Sequence, residues 1–343
     1  APGGPADPGA MPDRLADSAA VGATPGALRM RVCRPNDLPA GAPLLVALHG
    51  CTQTAESYDS GSGWSELAAD NGFALLFPEQ QTANNSHRCF NWFEPGDIRR
   101  DGGESESILQ MIAHVAAQHG IDRKRIFVTG LSAGGAMAAT LLAVAPDVFA
   151  GGAVIAGLPH GVASGVPQAL ERMRGQGLPS SAALTELAAK ASSHSGSWPR
   201  LQVWHGTADA TVVPANGEAL LAQWRPLHGL PAAPSRQEAL GPHLRRVWLD
   251  EKGEPAIEHY AISGLGHGLP LDSTGPDGLG RPGPHMLEAG LSSTRRIAES
   301  WGLVTSKEQS RPREPRPETP QPQHPARVGQ VIESALRAAG LMR

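Results

Sequence analysis

Apolar runs and amphipathic stretches alternate along most of the chain. APLLVALHG (42–50) is almost unbroken in its apolar character and closes on glycine, the pattern of a strand buried on both faces. SGWSELAADNG (62–72) spaces Trp64, Leu67 and Ala68 as a helix does and stops at Asn-Gly. FALLFPEQ (73–80) repeats the buried-strand pattern and is expected to end at Pro78, which has no N–H to donate. ESESILQMIAHVAAQHG (104–120) predicts a helix with acidic residues in its first turn and Gly120 just past its end. RIFVTG (125–130) reads as a third strand, followed by AGGAMAATLLAVAPDVF as a helix to about Ala145. GGAVIAG (151–157), LQVWHG (201–206) and the start of EHYAISGLGHG (258–268) supply further strands.

Strands alternating with helices predict an α/β fold, a mostly parallel central sheet with helices on both faces. There is no internal repeat. Residues 158–200 interrupt the alternation with Gly, Ser and Pro and one helical segment, ALTELAAKAS, and are expected to form a small cap-like insertion over the sheet edge. Residues 1–22, rich in Pro, Gly, Ala and Asp without an apolar period, are expected to be a disordered leader. Residues 23–304 form the main domain, and 305–327, with SKEQSRPREPRPETPQPQHPAR from Ser306, read as a Pro-rich linker. In 328–343, Val328, Val331, Ile332, Ala335, Leu336 and Ala339 fall on one helical face. A helix that short is marginal alone, so it is expected to dock on its own domain.

Composition narrows the function classes. With 40% apolar and 18% charged residues and a net charge of −4, the chain lacks the basic excess that nucleic-acid binding needs. Its longest apolar run, from Ala136 to Ala145, is shorter than the roughly 20 residues that cross a bilayer, so no membrane span is expected. The chain opens on Ala1-Pro2-Gly3-Gly4, as a processed or trimmed end would. Three cysteines, Cys33, Cys51 and Cys89, lack the close spacing of a zinc site and allow one disulfide. A disulfide would favour an extracellular or periplasmic protein over a cytoplasmic one. Neither metal nor organic cofactor is expected.

The chemistry centres on GLSAGGAMAA (130–139), where Gly130, Ser132 and Gly134 fit G-x-S-x-G. In a chain with 41 glycines the motif alone carries little weight, but here it joins a buried strand to a helix, the context a nucleophile elbow requires. A serine hydroxyl needs a base, usually a histidine oriented by a buried carboxylate. Asp209, in HGTADATVVP after one strand, and His267, in ISGLGHGLP after another, leave the same kind of strand end as Ser132. His49 and His205 at strand ends and His285 in GRPGPHM are rivals for the base; Asp250, in the turn-like LDEKGEP, and Asp272 are rivals for the acid. An oxyanion hole would take the N–H of Ala133 and one from HGCTQTA (49–55), either Cys51 or Thr52.

HGCTQTAESYDSGSGWSELAADNGFALLFPEQQTANNSHRCFNWFEPGDIRRDGGESESI, together with GLSAGGAMAA, HGTADATVVPANG, GLGHGLPLD and GPHMLEAGLSSTRRIAESWGL, resembles the poly(3-hydroxybutyrate) depolymerase family of esterases, related to feruloyl and acetylxylan esterases. The resemblance spans roughly residues 25–304 and extends to IESALRAAGLMR. It implies an α/β-hydrolase fold with Ser132, Asp209 and His267 as a triad, and Cys51 with Ala133 as the oxyanion donors. It also implies a Cys51–Cys89 bridge, with Cys33 outside it, and places Trp92 of CFNWF at the substrate cleft. GPDGLGRPGPHM lacks the further cysteine that many relatives carry after the histidine, so a second bridge is not expected. The implied activity is hydrolysis of a short 3-hydroxyacyl polyester or its oligomers. A feruloyl or acetylxylan esterase, and a catalytically inactive binding protein of the same fold, are the alternatives.

Overall fold

Strand β3 (Leu44–Leu48), LLVAL, is buried at all five positions and forms the middle of a layered molecule. The computed structural model describes residues 15–18, 24–275 and 277–304; the expected linker, terminal helix and most of the expected leader lie outside these. Before β3 come β1 (Ala16–Ser18) and β2 (Arg29–Cys33). After it follow α1 (Ala55–Ser62), α2 (Trp64–Asn71), β4 (Ala74–Glu79), α3 (Gly103–His119), β5 (Ile126–Leu131), α4 (Ala133–Val144) and β6 (Gly151–Ile155). The next elements are α5 (Val166–Met173), α6 (Ser181–Ala189), β7 (Arg200–Gly206), α7 (Ala215–Trp224), β8 (Arg236–Leu240) and β9 (His243–Leu249). β10 (Pro255–Ile262), β11 (Leu269–Leu271), β12 (Met286–Glu288) and α8 (Ser293–Ser300) complete the described part.

Ten strands form one sheet in the order β1-β2-β4-β3-β5-β6-β7-β10-β9-β8. The six from β4 to β10 run parallel, and antiparallel pairs close both margins. Alternation along β3 sends Leu44, Val46 and Leu48 to one face and Leu45 and Ala47 to the other. The first face packs against Met111, Ile112 and Val115 of α3, Met137 and Leu141 of α4 and Leu220 of α7. The second packs against Tyr58 of α1, Trp64 and Leu67 of α2 and Ile297 of α8. Every residue of α4 is buried, which explains why AGGAMAATLLAV has no polar stripe: it lies at the centre of its layer.

Several elements depart from the sequence expectation. Pro78 does not end its strand; it pairs with Met30 of β2, whereas β3 pairs with β4 only as far as Leu76, so Pro78 has a strand neighbour on one side only. Residues 16–18, expected in the disordered leader, form the edge strand β1, and the Leu15 carbonyl accepts a hydrogen bond from the Arg31 guanidinium. α1 has no clear apolar period. It starts instead from a capping box between Thr54 and Ser57, and the buried Glu79 carboxylate accepts the Ala55 N–H at 2.8 Å. Residues 158–200 hold two helices, α5 and α6, rather than one. β8 and β9, absent from the strands expected above, form an outer hairpin in which β8 is largely exposed while β9 buries Val247 and Trp248.

Leu141 of α4 is fully buried against the sheet. Leu141→Ala is expected to lower the free energy of unfolding by about 2–5 kcal/mol, read from urea denaturation; a loss under about 1 kcal/mol would contradict this packing.

Candidate active site

The chain turns from β5 into α4 through one residue. Ser132 adopts φ 58° and ψ −118°, a left-handed conformation that costs a non-glycine residue about 1–3 kcal/mol. The turn is held by the Ser132 N–H donating to the Ile155 carbonyl at 2.9 Å. The flanking glycines are required by close approach: a Cβ at Gly130 would lie 2.2 Å from the Gly134 carbonyl oxygen, and one at Gly134 2.4 Å from that of Leu48. The serine hydroxyl thus projects at the strand end, beside the N-terminus of a buried helix.

Loops after β7 and β10 bring the other two groups to it. These loops are joined by Thr207 N–H to the Ile262 carbonyl at 2.9 Å and Ala208 N–H to that of Leu265 at 3.0 Å. His267 Nε2 lies 2.9 Å from Ser132 Oγ and its Nδ1 lies 2.8 Å from Asp209 Oδ2. A carboxylate only accepts, so Nδ1–H donates to Asp209 and Nε2 accepts the serine O–H. The Asp209 side chain is fully buried, and its Oδ1 accepts the N–H groups of Thr211 and Val212, both at 2.9 Å. That leaves Oδ2 to hold the imidazole.

The rivals are placed elsewhere. His205 Nε2–H donates to the Val212 carbonyl at 2.7 Å, behind Asp209, and burial lowers its pKa. His285 sits against the backbone of His267 and donates to its carbonyl. Asp250 caps the exposed turn between β9 and β10, its side chain accepting the N–H groups of Lys252 and Glu254, and Asp272 bridges to Leu279.

In the 49–55 loop, the N–H groups on either side of Cys51 are used. Thr52, at φ 67°, donates its N–H to the His87 carbonyl at 2.6 Å, and the Gly50 N–H donates to Gln53 Oε1 at 2.8 Å. Among the described residues neither the Cys51 nor the Ala133 N–H has an acceptor. Cys51 is joined to Cys89 by a disulfide, with Cα atoms 4.2 Å apart, and Cys33 is buried in β2. Trp92 is 5% exposed, in the apolar cluster that includes Ala133 and Val212 and is flanked by Cys51 and Cys89.

Polar residues not singled out as site residues support this loop. His49 Nδ1–H donates to the Gly50 carbonyl at 2.8 Å and its Nε2 accepts the Gln80 N–H at 3.1 Å, so both nitrogens are occupied and the ring is neutral. Gln80 also donates to the Cys89 carbonyl at 3.0 Å and to the Glu104 carboxyl, which accepts the Asn91 N–H at 2.8 Å; burial raises the Glu104 pKa to about 8. A polar Gln-ended tail on an otherwise apolar strand was the available signal. Among the described residues no group of three or more His, Cys, Asp or Glu could hold a metal ion, and no helix is long and apolar enough to cross a membrane.

A mostly parallel sheet layered by helices, with a serine, histidine and aspartate hydrogen-bonded at its strand ends, defines an α/β-hydrolase. The acetyl xylan esterase from Aspergillus awamori superposes with a TM-score of 0.72 at 25% identity, over 84% of this chain and 99% of that one. A family model described as Esterase PHB depolymerase matches residues 34–241. The chain is 42% identical over 285 residues to poly(3-hydroxyalkanoate) depolymerase C of Paucimonas lemoignei, covering 82% of this chain and 69% of that protein. It is 30% identical over 258 residues to a probable acetylxylan esterase A of Aspergillus flavus, covering 73% and 82%. The chain belongs to the PHB depolymerase family of esterases.

Burial holds His49 near a pKa of about 4, below the 6.5 of an unfolded histidine, and His160 and His228 likewise. The unfolded chain therefore binds more protons between these values, and stability present above pH 6.5 is lost as pH falls toward 4, by roughly 3 kcal/mol for His49 alone. Urea midpoints are expected to fall steadily over this window; a midpoint constant across it would contradict neutral burial.

Proposed function

We propose that this chain is a serine esterase that cleaves carboxylic esters through an acyl-enzyme on Ser132, with short-chain poly(3-hydroxybutyrate) or its oligomers as substrate. The observation that carries the reading is the continuous Ser132–His267–Asp209 hydrogen-bond chain at the strained elbow. Ser132 Oγ attacks the ester carbonyl carbon as His267 Nε2 takes its proton. Asp209 keeps Nδ1 protonated, so that Nε2 is the basic nitrogen, and stabilises the imidazolium that forms. The carbonyl oxygen becomes an oxyanion facing the two N–H groups without acceptors, those of Cys51 and Ala133, each contributing about 3 kcal/mol. His267 then returns its proton to the leaving alkoxide, which departs as the alcohol. Water, deprotonated by the same nitrogen, adds to the acyl carbon, and collapse of that second intermediate frees the acid and restores Ser132.

Trp92, in the same apolar cluster as Ala133 with Cys51 and Cys89 packed against it, is the wall of this oxyanion pocket. The likeness to poly(3-hydroxyalkanoate) depolymerase C supports the polyester. The acetylxylan esterase neighbours favour a second reading, a small acyl group on a carbohydrate. The Cys51–Cys89 bridge supports an extracellular or periplasmic setting, since reducing compartments keep thiols open.

Ser132→Ala is expected to lower kcat on p-nitrophenyl butyrate by about 10⁴-fold or more; full retained activity would overturn the triad. Release of 3-hydroxybutyrate from amorphous polymer is expected to exceed release of acetate from acetylated xylan and of ferulate from methyl ferulate, and the reverse order would select the second reading. A single thiol is expected to titrate in the denatured, unreduced protein, and three would remove the bridge.

A further inference from the structure

His285 is a half-buried histidine that the triad does not use, and its backbone is strained. It sits at φ 61°, in the left-handed region that non-glycine residues avoid, at a tight turn closed by reciprocal hydrogen bonds of 3.0 Å between Gly283 and Met286. Its Nδ1 lies 3.0 Å from the His267 carbonyl oxygen. A carbonyl cannot donate, so Nδ1 carries the proton and donates. Its own carbonyl accepts the Leu269 N–H at 2.8 Å. His285 therefore grips the chain on both sides of Gly268, where a Cβ would lie 2.7 Å from the His285 carbonyl oxygen. The two imidazoles also meet edge to face, with centroids 5.7 Å apart and planes at 73°.

What His285 is attached to gives the grip its purpose. β12, which begins at the next residue, pairs in parallel with β11, Leu269 opposite Met286. The Met286 side chain lies against Gly61 of α1, so closely that a Cβ there would be 2.5 Å from its Cγ. The Arg281 N–H donates to the Gly61 carbonyl at 2.9 Å. The segment from Arg281 to Met286 is thus tied to the helical layer on one side and to the His267 backbone on the other.

We infer that His285 is a positioning residue for the reaction: its Nδ1–H holds the His267 carbonyl and its own carbonyl holds the Leu269 N–H, so that the His267 imidazole stays in line between Asp209 and Ser132. This rests on the reading of Ser132, His267 and Asp209 as the triad. A base displaced by a fraction of an ångström loses rate rather than substrate affinity, because the interaction it spoils is realised in the transition state.

Two variants isolate the side chain from the backbone strain. His285→Gly keeps the left-handed turn without cost and removes the donor; His285→Asn also tolerates that conformation and places an amide N–H at the position of Nδ1. With p-nitrophenyl butyrate, and sites counted by end-point fluorophosphonate labelling, His285→Gly is expected to lower kcat about 10-fold or more with KM within about threefold, and His285→Asn to restore kcat to within about threefold of the parent. A glycine variant with parental kcat, or an asparagine variant as slow as the glycine one, overturns the inference. Ser132→Ala assayed alongside separates the two failures: if it is inactive while His285→Gly is not slowed, only the role of His285 falls. If Ser132→Ala itself remains active, the triad reading falls and the role of His285 with it.

Discussion

The turn at Ser132 is the constraint on which the rest depends. A strand and a helix that are both buried meet with a single residue between them, and the chain can make that turn only if Ser132 accepts a left-handed backbone and Gly130 and Gly134 carry no Cβ. The strain is held by layers that cannot relax, because β5 is flanked on both sides in the sheet and every residue of α4 is buried. Stability elsewhere in the core therefore sustains an unfavourable conformation at one residue, and the result is a hydroxyl fixed at the strand ends beside the N-terminus of a buried helix.

The same economy appears in the loops that meet it. Asp209 has one oxygen taken up by two backbone donors, and the other holds His267 Nδ1 at 2.8 Å, with His205 Nε2 at 3.6 Å behind it. Thr52 turns its N–H away to His87, and the neighbouring Cys51 N–H has no acceptor among the described residues. His49 uses both ring nitrogens on the backbone of neighbouring strand ends and so serves as a strut, not a base. The disulfide ties the 49–55 loop to the segment bearing Trp92, and Gln80 and Glu104 hydrogen-bond to that segment. Each device removes a freedom that would blur the alignment of Ser132, His267 and Asp209.

Much of this could be read from the residues. Buried parallel strands leave unbroken apolar runs, so β3, β5, β6 and β7 were evident, and the strand–turn–helix context gave Ser132 its meaning. Asp209 and His267 followed because parallel strands send their loops to one edge. What periodicity could not show was held by other forces. α1 depends on a capping box and a buried carboxylate; Pro78 lies in a strand because β3 has already stopped pairing beside it. β8 lies at the sheet edge with its side chains mostly exposed, so it shows no apolar pattern. The different partners of the Cys51 and Thr52 N–H groups, and the contact of His285 with the His267 backbone, are individual hydrogen-bond features that sequence spacing does not encode.

The acyl-enzyme is the central claim, and it has a mass. When the protein is mixed with a slowly deacylated ester, quenched in acid within milliseconds and analysed intact and after digestion, the expected result is an adduct of one acyl group on the peptide that contains Ser132. Turnover with no adduct on that peptide, or with the acyl group on a different residue, would contradict a reaction that runs through the elbow.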